Sequence, residues 1–471
     1  MLLLALAMPV LARDLYVDPA KGRDKADGLG PKTAVQTIAQ GLKLARPGDT
    51  VHLARAVYRE SAAFFNREGQ PGRPITLDGH GATLEGADPL DPAGWRQVGP
   101  GLYRHDRLLP CFRPAMLQRW FFVWDGRMNH MQRTSKGPSA PLKKPEELRP
   151  GEWTFVRDKS REKPGGQLLQ GAFYLKIESR QKLADARITV PVRLNGVALS
   201  GTNRHLVVRN LLATHVSNDG YNIHGVSRDC LFQNIQAIDC GDDGISAHDD
   251  CQCRVDGLVS MGNSTGICDV GSSVTEYNHV LIRDCLGHDL YFLEYERHAV
   301  RNAVVLSSAW RTLVVTGGPK RPDAVCRLAL ENVYIRRMTG ANEVRVHQGA
   351  RLDARRVTLV GLNVLATGGQ VRLFDSVIAG SHPSEVTIYR DARWEADRNL
   401  YDVGLLRRGP QSYTEKTFAE FRRATGQDQH SQWRRITLAD GKPQGLPAGV
   451  GADPNLRVPS ISAANLESSR R

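Results

Sequence analysis

A short apolar strand, one polar residue and a second short apolar strand recur through the middle of this chain. No other feature limits the fold as much. The unit reads His205-Leu-Val-Val-Arg-Asn210-Leu-Leu, then Asp229-Cys-Leu-Phe-Gln-Asn234-Ile-Gln, then Arg327-Leu-Ala-Leu-Glu-Asn332-Val-Tyr and Arg351-Leu-Asp-Ala-Arg-Arg356-Val-Thr. Further copies centre on Gly257, Asp284, Asn302 and Ser376, and the steps between centres run from 18 to 30 residues. A strand of four to six residues covers roughly 17–20 Å, so three strands and their turns use up about one such step. Each repeat is then one turn of a coil. Neighbouring turns pair their strands in parallel about 4.8 Å apart and turn apolar side chains inward. Asn210, Asn234, Asn302 and Asn332 fall at one tight bend, where Asn tolerates left-handed backbone and stacked amides can bond along the axis.

The fold class expected is all-β, a right-handed parallel β-helix. Leucine-rich repeats have a similar length but need Leu-x-x-Leu-x-Leu and helices, which are absent. Before the repeats, Asp14-Leu-Tyr-Val begins a strand, and Thr37 to Ala45 is amphipathic, with Ile38, Leu42 and Ala45 at helical spacing. Pro47-Gly48-Asp49-Thr50 stops that helix and Val51 resumes a strand. A helix here covers the open end of the first coil. The pattern resembles the pectate-lyase-like β-helix superfamily, and the strand–helix–strand opening looks like the N-terminal cap of exported carbohydrate enzymes of that fold.

Residues from about 90 to 180 break the rhythm and carry Trp95, Trp120, Phe121, Phe122, Trp124 and Trp153. They read as an inserted β-rich lobe, whose aromatics either form a local core or stack on sugars. The β-helix domain is expected over 13–396. A C-terminal extension follows over 397–471, with a helix near Glu415–Thr425 and an irregular, frayed end. Residues 1–12 end in Val10-x-Ala12 after an apolar run too short to span a bilayer, and read as a signal for export to the periplasm or beyond the cell. No later stretch is long and apolar enough to cross a membrane. The chain has eight cysteines. In a repetitive core a thiol is a small apolar residue, so Cys230 and Cys253 should stack, buried and reduced. Cys240 and Cys251 flank one extended strand, too far apart for a disulfide. The net charge is +13, which suits an anionic partner or is simply an ordinary basic surface.

The chemistry sits where each coil enters its third strand. The segments Asn218-Asp219-Gly220-Tyr221-Asn222-Ile223-His224, Asp242-Asp243-Gly244-Ile245-Ser246-Ala247-His248, Ser264-Thr265-Gly266-Ile267-Cys268 and Gly287-His288-Asp289-Leu290-Tyr291 align. With Ile223, Ile245, Ala247 and Ile267 inward, alternation turns Asn222, Ser246, Cys268 and Tyr291 outward. His224 and His248 then also face out, one strand spacing apart. Asp219, Asp242 and Asp243 sit at the strand entry, and Asp249 leaves at the far end. Clustered carboxylates repel one another, which raises at least one pKa, the arrangement acid–base chemistry uses. Carboxylates on adjacent coils can reach the ~6.5–9.5 Å that an inverting glycosidase needs. Turn aspartates capping amides, or a calcium ion tying coils together, are the alternatives.

Asn218-Asp219-Gly220 and Gly241-Asp242-Asp243 resemble the Asn-x-Asp-Gly and Gly-Asp-Asp of polygalacturonase-like glycoside hydrolases. Where that family carries Gly-His-Gly and Arg-x-Lys, this chain has Thr265-Gly266-Ile267 and Leu290-Tyr291-Phe292. Asp219-Gly-Tyr-Asn-Ile-His-Gly225 is also similar to a motif of inverting β-helix galactosidases. The resemblance implies a glycoside hydrolase acting on a polysaccharide or oligosaccharide. Asp243 would be the general acid, Asp219 and Asp242 would hold and activate water, and Asn222, His224, Ser246, His248, Asp249 and Tyr291 would contact sugar. The other readings are a lyase on an acidic polysaccharide and a non-catalytic carbohydrate-binding or surface protein. A lyase needs a Lys or Arg base, and no Lys lies between residues 183 and 319. No nucleophile elbow or phosphate loop is present. The expectation is a monomer without a cofactor, calcium being the alternative, that binds no nucleic acid.

Overall fold

The computed structural model describes residues 11–109, 112–321, 323–340, 342–380 and 384–461. The expected export signal over 1–12 lies outside these, apart from its last two residues, as do Cys111 and the final ten residues. The fold is the expected parallel β-helix. One sheet has 16 strands and a second has 12. Each coil contributes one long strand to the first sheet and one short strand to the second. Thr202–Thr214 is followed by Tyr221–Ile223, Val226–Ile238 by Asp243–Ala247, and Asp250–Met261 by Thr265–Asp269.

One left-handed residue folds each long strand across a corner. Asn210, Asn234, Asn302 and Asn332 have φ of 55°, 50°, 49° and 56°. They share that corner in register, and Asn332 Nδ2 donates to Asn302 Oδ1 at 2.7 Å. Asn234 Nδ2 reaches Asn210 Oδ1 at 3.4 Å. The repeat centre expected at Asp284 is corrected. His279 (φ 53°) stands between Gly257 and Asn302 in this ladder. Asp284 (φ 56°) belongs to the next corner with His215, Asp239 and Gly262, all left-handed. Likewise Asp375 is the corner residue, not its neighbour Ser376. Both corners use Asx-type residues five positions apart, so local chemistry alone does not separate them.

The interior is filled by the alternating apolar residues. Tyr221, Ile223, Ile245, Ala247, Ile267, Leu290 and Phe292 are each 0% exposed. Cys230 lies opposite Cys253 in the ladder, and Cys230, Cys240, Cys251, Cys253, Cys268, Cys285 and Cys326 are buried free thiols. Gly220 has a specific reason. A Cβ there would sit 2.7 Å from Ala237 Cβ and 2.8 Å from Gly244 O, so only glycine lets the chain press onto the opposite wall just after Asp219.

The N-terminal helix is Ile38–Leu44, with Thr37 accepting from Gln40 N, and it buries Ile38 and Leu42 over Leu15, Val17 and Val51. The lobe is two four-stranded antiparallel sheets formed between Ala87 and Pro191. Trp95, Trp120, Phe122 and Trp153 pack with Phe112 and Phe173 into its own core, so these rings are structural and not a sugar platform. Parallel pairing runs on past residue 396, the boundary expected for it, through Leu400–Asp402, Leu405–Arg408 and Gln432–Trp433. The helix Phe418–Thr425 packs Phe418 and Phe421 on Tyr401 and Tyr413 at that end. The tail then runs back along the rod, where Ala452 N donates to Thr358 Oγ1 and Asp453 N to Asn332 Oδ1. Among the described residues no helix is long and apolar enough to cross a membrane.

Two buried carboxyls give the fold a pH dependence. Burial pushes Asp289 up to about 7, with Ser307 and Arg337 offsetting part of it, and pushes Asp239 up to about 6. A carboxyl raised on folding contributes stability that is complete below its unfolded value near 3.9 and is lost as pH rises through its folded value. For Asp289 the loss is about 4 kcal/mol above pH 7. The melting temperature should therefore fall between pH 5 and pH 8, and Asp289→Asn should flatten that slope. An unchanged slope in the variant would show that Asp289 ionises as freely in the folded chain as in the unfolded one.

Candidate functional site

The outward row of the second sheet runs Asn222, Ser246, Cys268, Tyr291 in direct register. At its entry the corner brings Asp219, Asp242 and Asp243 together, with one oxygen from each lying within 4.8 Å of the others. Backbone geometry holds Asp219 in place. Its Oδ1 accepts from Asp243 N at 3.1 Å and its Oδ2 from Asn222 Nδ2 at 2.5 Å.

The cluster faces away from the coil interior, as expected, but it is not open. Asp219, Asp242 and Asp243 are 3%, 7% and 2% exposed. A strap of the lobe lies over them. Lys136 Nζ is 2.7 Å from Asp242 Oδ1 and 2.6 Å from Asp243 Oδ1. Arg119 Nη1 donates to Asp242 Oδ2, and Ser135 Oγ donates to Asp242 Oδ1. Thr134 Oγ1 bonds Ser264 Oγ at 2.5 Å and pins the strap to the next coil. Cys268, expected outward, is on the outward row but buried under this cover. The expectation of a face without lysine is corrected by Lys136, which arrives from the lobe.

These contacts divide the carboxyls. Burial raises Asp243 well above the ordinary carboxylate range, and Asp242 and Asp219 add to that while Lys136 opposes it. Burial and Asp242 also raise Asp219, against Lys136 and Asn222. Burial pushes Asp242 up as well, but Lys136, Arg119 and Ser135 outweigh it and hold Asp242 below the ordinary value. Lys136 loses hydration, yet Asp243 and Asp242 keep its proton far more firmly than in water. The surroundings thus push the carboxyls apart, Asp243 toward keeping a proton and Asp242 toward losing it, and such a tightly coupled cluster titrates as a whole.

The separation is tighter than expected. One oxygen of each carboxyl lies within 4.8 Å of the others, and the Lys136 ammonium bridges Asp242 and Asp243. Three carboxylates could offer oxygens to calcium, which takes six to eight at about 2.3–2.6 Å. Here the Lys136 ammonium takes the cation's place, so a calcium ion fits only if Lys136 leaves.

His224 and His248 stack as expected, with ring centroids 4.3 Å apart at 15°. Ser246 Oγ bonds His248 Nε2 at 2.5 Å, and burial lowers His248 to about 4, so its ring is neutral at neutral pH. Asp249 is a left-handed corner residue that accepts from Gly225 N at 2.9 Å and lies 3.3 Å from His224 Nδ1. Tyr291 stacks on His288 at 4.2 Å and 9°, and His288 meets the half-exposed Trp310 edge-on. Lys136, Arg119 and Ser135 were not legible beforehand. They lie more than 100 residues upstream of the aspartates they touch, within a segment that carries no repeat.

No protein-family profile matches the chain, and no curated protein matches it in sequence. Solved structures of similar fold do exist. XylC in complex with xylose superposes with a TM-score of 0.56 at 11% identity, covering 90% of this chain and 87% of that one. Pectate lyase Pel9A gives 0.43 at 11% identity, over 86% and 82%. The GH136 lacto-N-biosidase from Eubacterium ramulus gives 0.36 at 10% identity, over 90% and 68%. At such identities the likeness is one of fold.

Proposed function

We propose that this chain is an exported carbohydrate-active enzyme, a glycoside hydrolase that cleaves a polysaccharide or oligosaccharide at Asp219, Asp242 and Asp243. The observation that carries the reading is geometric: three carboxyls from adjacent coils, each offering an oxygen within 4.8 Å of the others, meet at the entry of the outward row, with Asp243 raised and Asp242 lowered by their surroundings. Asp243 gives its proton to the glycosidic oxygen. Asp242 takes a proton from the attacking water, a narrower assignment than the pair Asp219 and Asp242. Asp219 orients Asn222 and the backbone of Asp243. Asn222, His224, His248, Asp249 and Tyr291 would contact the sugar from the neighbouring outward rows, whereas Ser246, expected among them, is 0% exposed and instead holds the His248 ring. Sugar reaches Asp243 as Lys136 swings aside; its side chain is already 22% exposed. The xylose held by XylC supports a sugar as ligand for this fold.

A lyase at this site would use Lys136 as base. Its carboxylate partners hold the Lys136 proton in place, which disfavours that role. A third reading has its own observation: Asp242 and Asp243 anchor the lobe through Lys136, Arg119 and Ser135, which a non-catalytic binding protein would also need. The test is the purified protein on a panel of polysaccharides, followed for new reducing ends and for absorbance of unsaturated uronate. Hydrolysis gives reducing ends alone. Rising absorbance would make the protein a lyase, and silence in both channels across the panel would leave the anchoring role.

A further inference from the structure

Away from the carboxylate cluster, the outer face of the first three coils carries a chain of polar rings. Tyr16, His52 and Asp78 occupy the same position on successive strands. Asp14 Oδ1 lies 2.8 Å from His52 Nε2. A carboxylate accepts only, so Nε2 is the donor to Asp14, and in the neutral ring Nδ1 is then the nitrogen with the lone pair. That lone pair faces His80 Nε2 at 2.9 Å. The ring centroids are 5.2 Å apart with planes only 22° from parallel, so the two nitrogens meet nearly in the ring planes.

His80 is placed there by an irregularity in the backbone. Asp78 pairs with Arg209 and Ala82 with Leu211, so Gly79, His80 and Gly81 all stand opposite the single residue Asn210. A Cβ at Gly79 would meet Asn210 O at 2.5 Å, and Gly81 and His80 have φ of +82° and +47°. Extra residues of this kind re-aim a side chain. Here two glycines turn one histidine back onto its neighbour in the preceding coil. Among the described residues His52, Asp78 and His80 also form a group whose ligand atoms lie within 4.8 Å of one another.

We propose that His52 and His80 form a binding site for a divalent transition-metal ion of the zinc class, with Asp14 orienting His52 from behind; Asp78, whose oxygens accept from Arg209 Nε at 2.7 Å and Asn210 Nδ2 at 2.9 Å, is the nearest carboxylate and would join the ion only by giving up one of these bonds. Two imidazoles with one carboxylate select zinc, copper or nickel over calcium and magnesium. Zinc–nitrogen bonds of about 2.0–2.1 Å would spread the facing nitrogens by a few tenths of an ångström, and the His80 side chain, 49% exposed, is free to give that. The Asp14–His52 pair is the carboxylate–histidine arrangement that supports metal-bound imidazoles. A bound ion would tie together the Asp14–Val17, Thr50–Leu53 and Ile75–Glu85 strands, and it is independent of the hydrolase reading.

The test is calorimetric titration of the untagged full chain with zinc, and separately with calcium, alongside thermal unfolding. The expected result is one equivalent of zinc, no calcium heat, and a melting temperature that rises with zinc by mass action. His52→Gln and His80→Asn should each abolish the zinc heat. Asn is chosen for position 80 because it tolerates the left-handed backbone. Asp14→Asn should weaken binding roughly 10–100-fold. Melting without zinc shows that the variants are folded. No zinc heat in the unsubstituted chain, or zinc heat that survives in both folded histidine variants, would overturn the site.

Discussion

Asp243→Asn should lower turnover by ~10²–10⁴-fold while the melting temperature stays close to that of the unsubstituted chain. Asp243 is raised well above the ordinary carboxylate range by burial and by Asp242 and Asp219, which suits it to donate a proton. Asn matches its size but has no acidic proton to give. Lys136 keeps its second partner, Asp242, at 2.7 Å. Asn222, His224 and His248 are untouched, so KM should change little and the loss should fall on kcat. Asp242→Asn is expected to behave differently. It removes the ionised partner of both Arg119 and Lys136, so stability should fall together with activity. Initial rates on the best substrate of the panel, beside melting curves, separate the two variants.

Lys136→Met should cost about 3–5 kcal/mol of unfolding free energy at neutral pH, because it strips the bridging cation from two buried carboxyls. Arg119 remains on Asp242, but Asp243 then has no cation within salt-bridge distance among the described residues. The cost should depend on pH in a defined direction. Without Lys136 the folded-state values of Asp242 and Asp219, which it lowers, rise. Stability from a raised carboxyl is present at low pH and lost as pH rises, so the gap between variant and parent should widen from pH 5 to pH 8. Urea unfolding at the two pH values measures it. A gap that is equal at both would mean that Lys136 is not the counter-ion of a buried cluster.

Local chemistry was legible in the sequence. Asn210, Asn234, Asn302 and Asn332 announce a left-handed corner because few residue types tolerate one, and the thiols announce a core because they replace aliphatic residues in register. The close approach of Gly220 and Gly244 to the opposite wall is visible only in the fold. Frame was harder: Asp284 and His279 both sit at left-handed corners of one coil, and only strand pairing tells which corner continues the asparagine ladder. Partners from the lobe were beyond reach. Lys136 meets Asp242 and Asp243 across more than 100 residues, and no periodicity links a loop of the lobe to a particular coil. For the same reason the aspartates read as an open face, when the fold buries them beneath a strap. The aromatic residues of the lobe had two readings, and only their mutual packing decides for a core.

The central claim is that Asp243 and Asp242 act as acid and base on a sugar, and do not merely hold the lobe. It is tested most directly by measuring turnover and thermal unfolding on the same preparations of Asp219→Asn, Asp242→Asn and Asp243→Asn. The account predicts that Asp243→Asn loses nearly all turnover with its melting temperature preserved. Full turnover in that variant, or turnover lost only in step with stability across all three, would contradict it and leave the cluster as the anchor of the lobe.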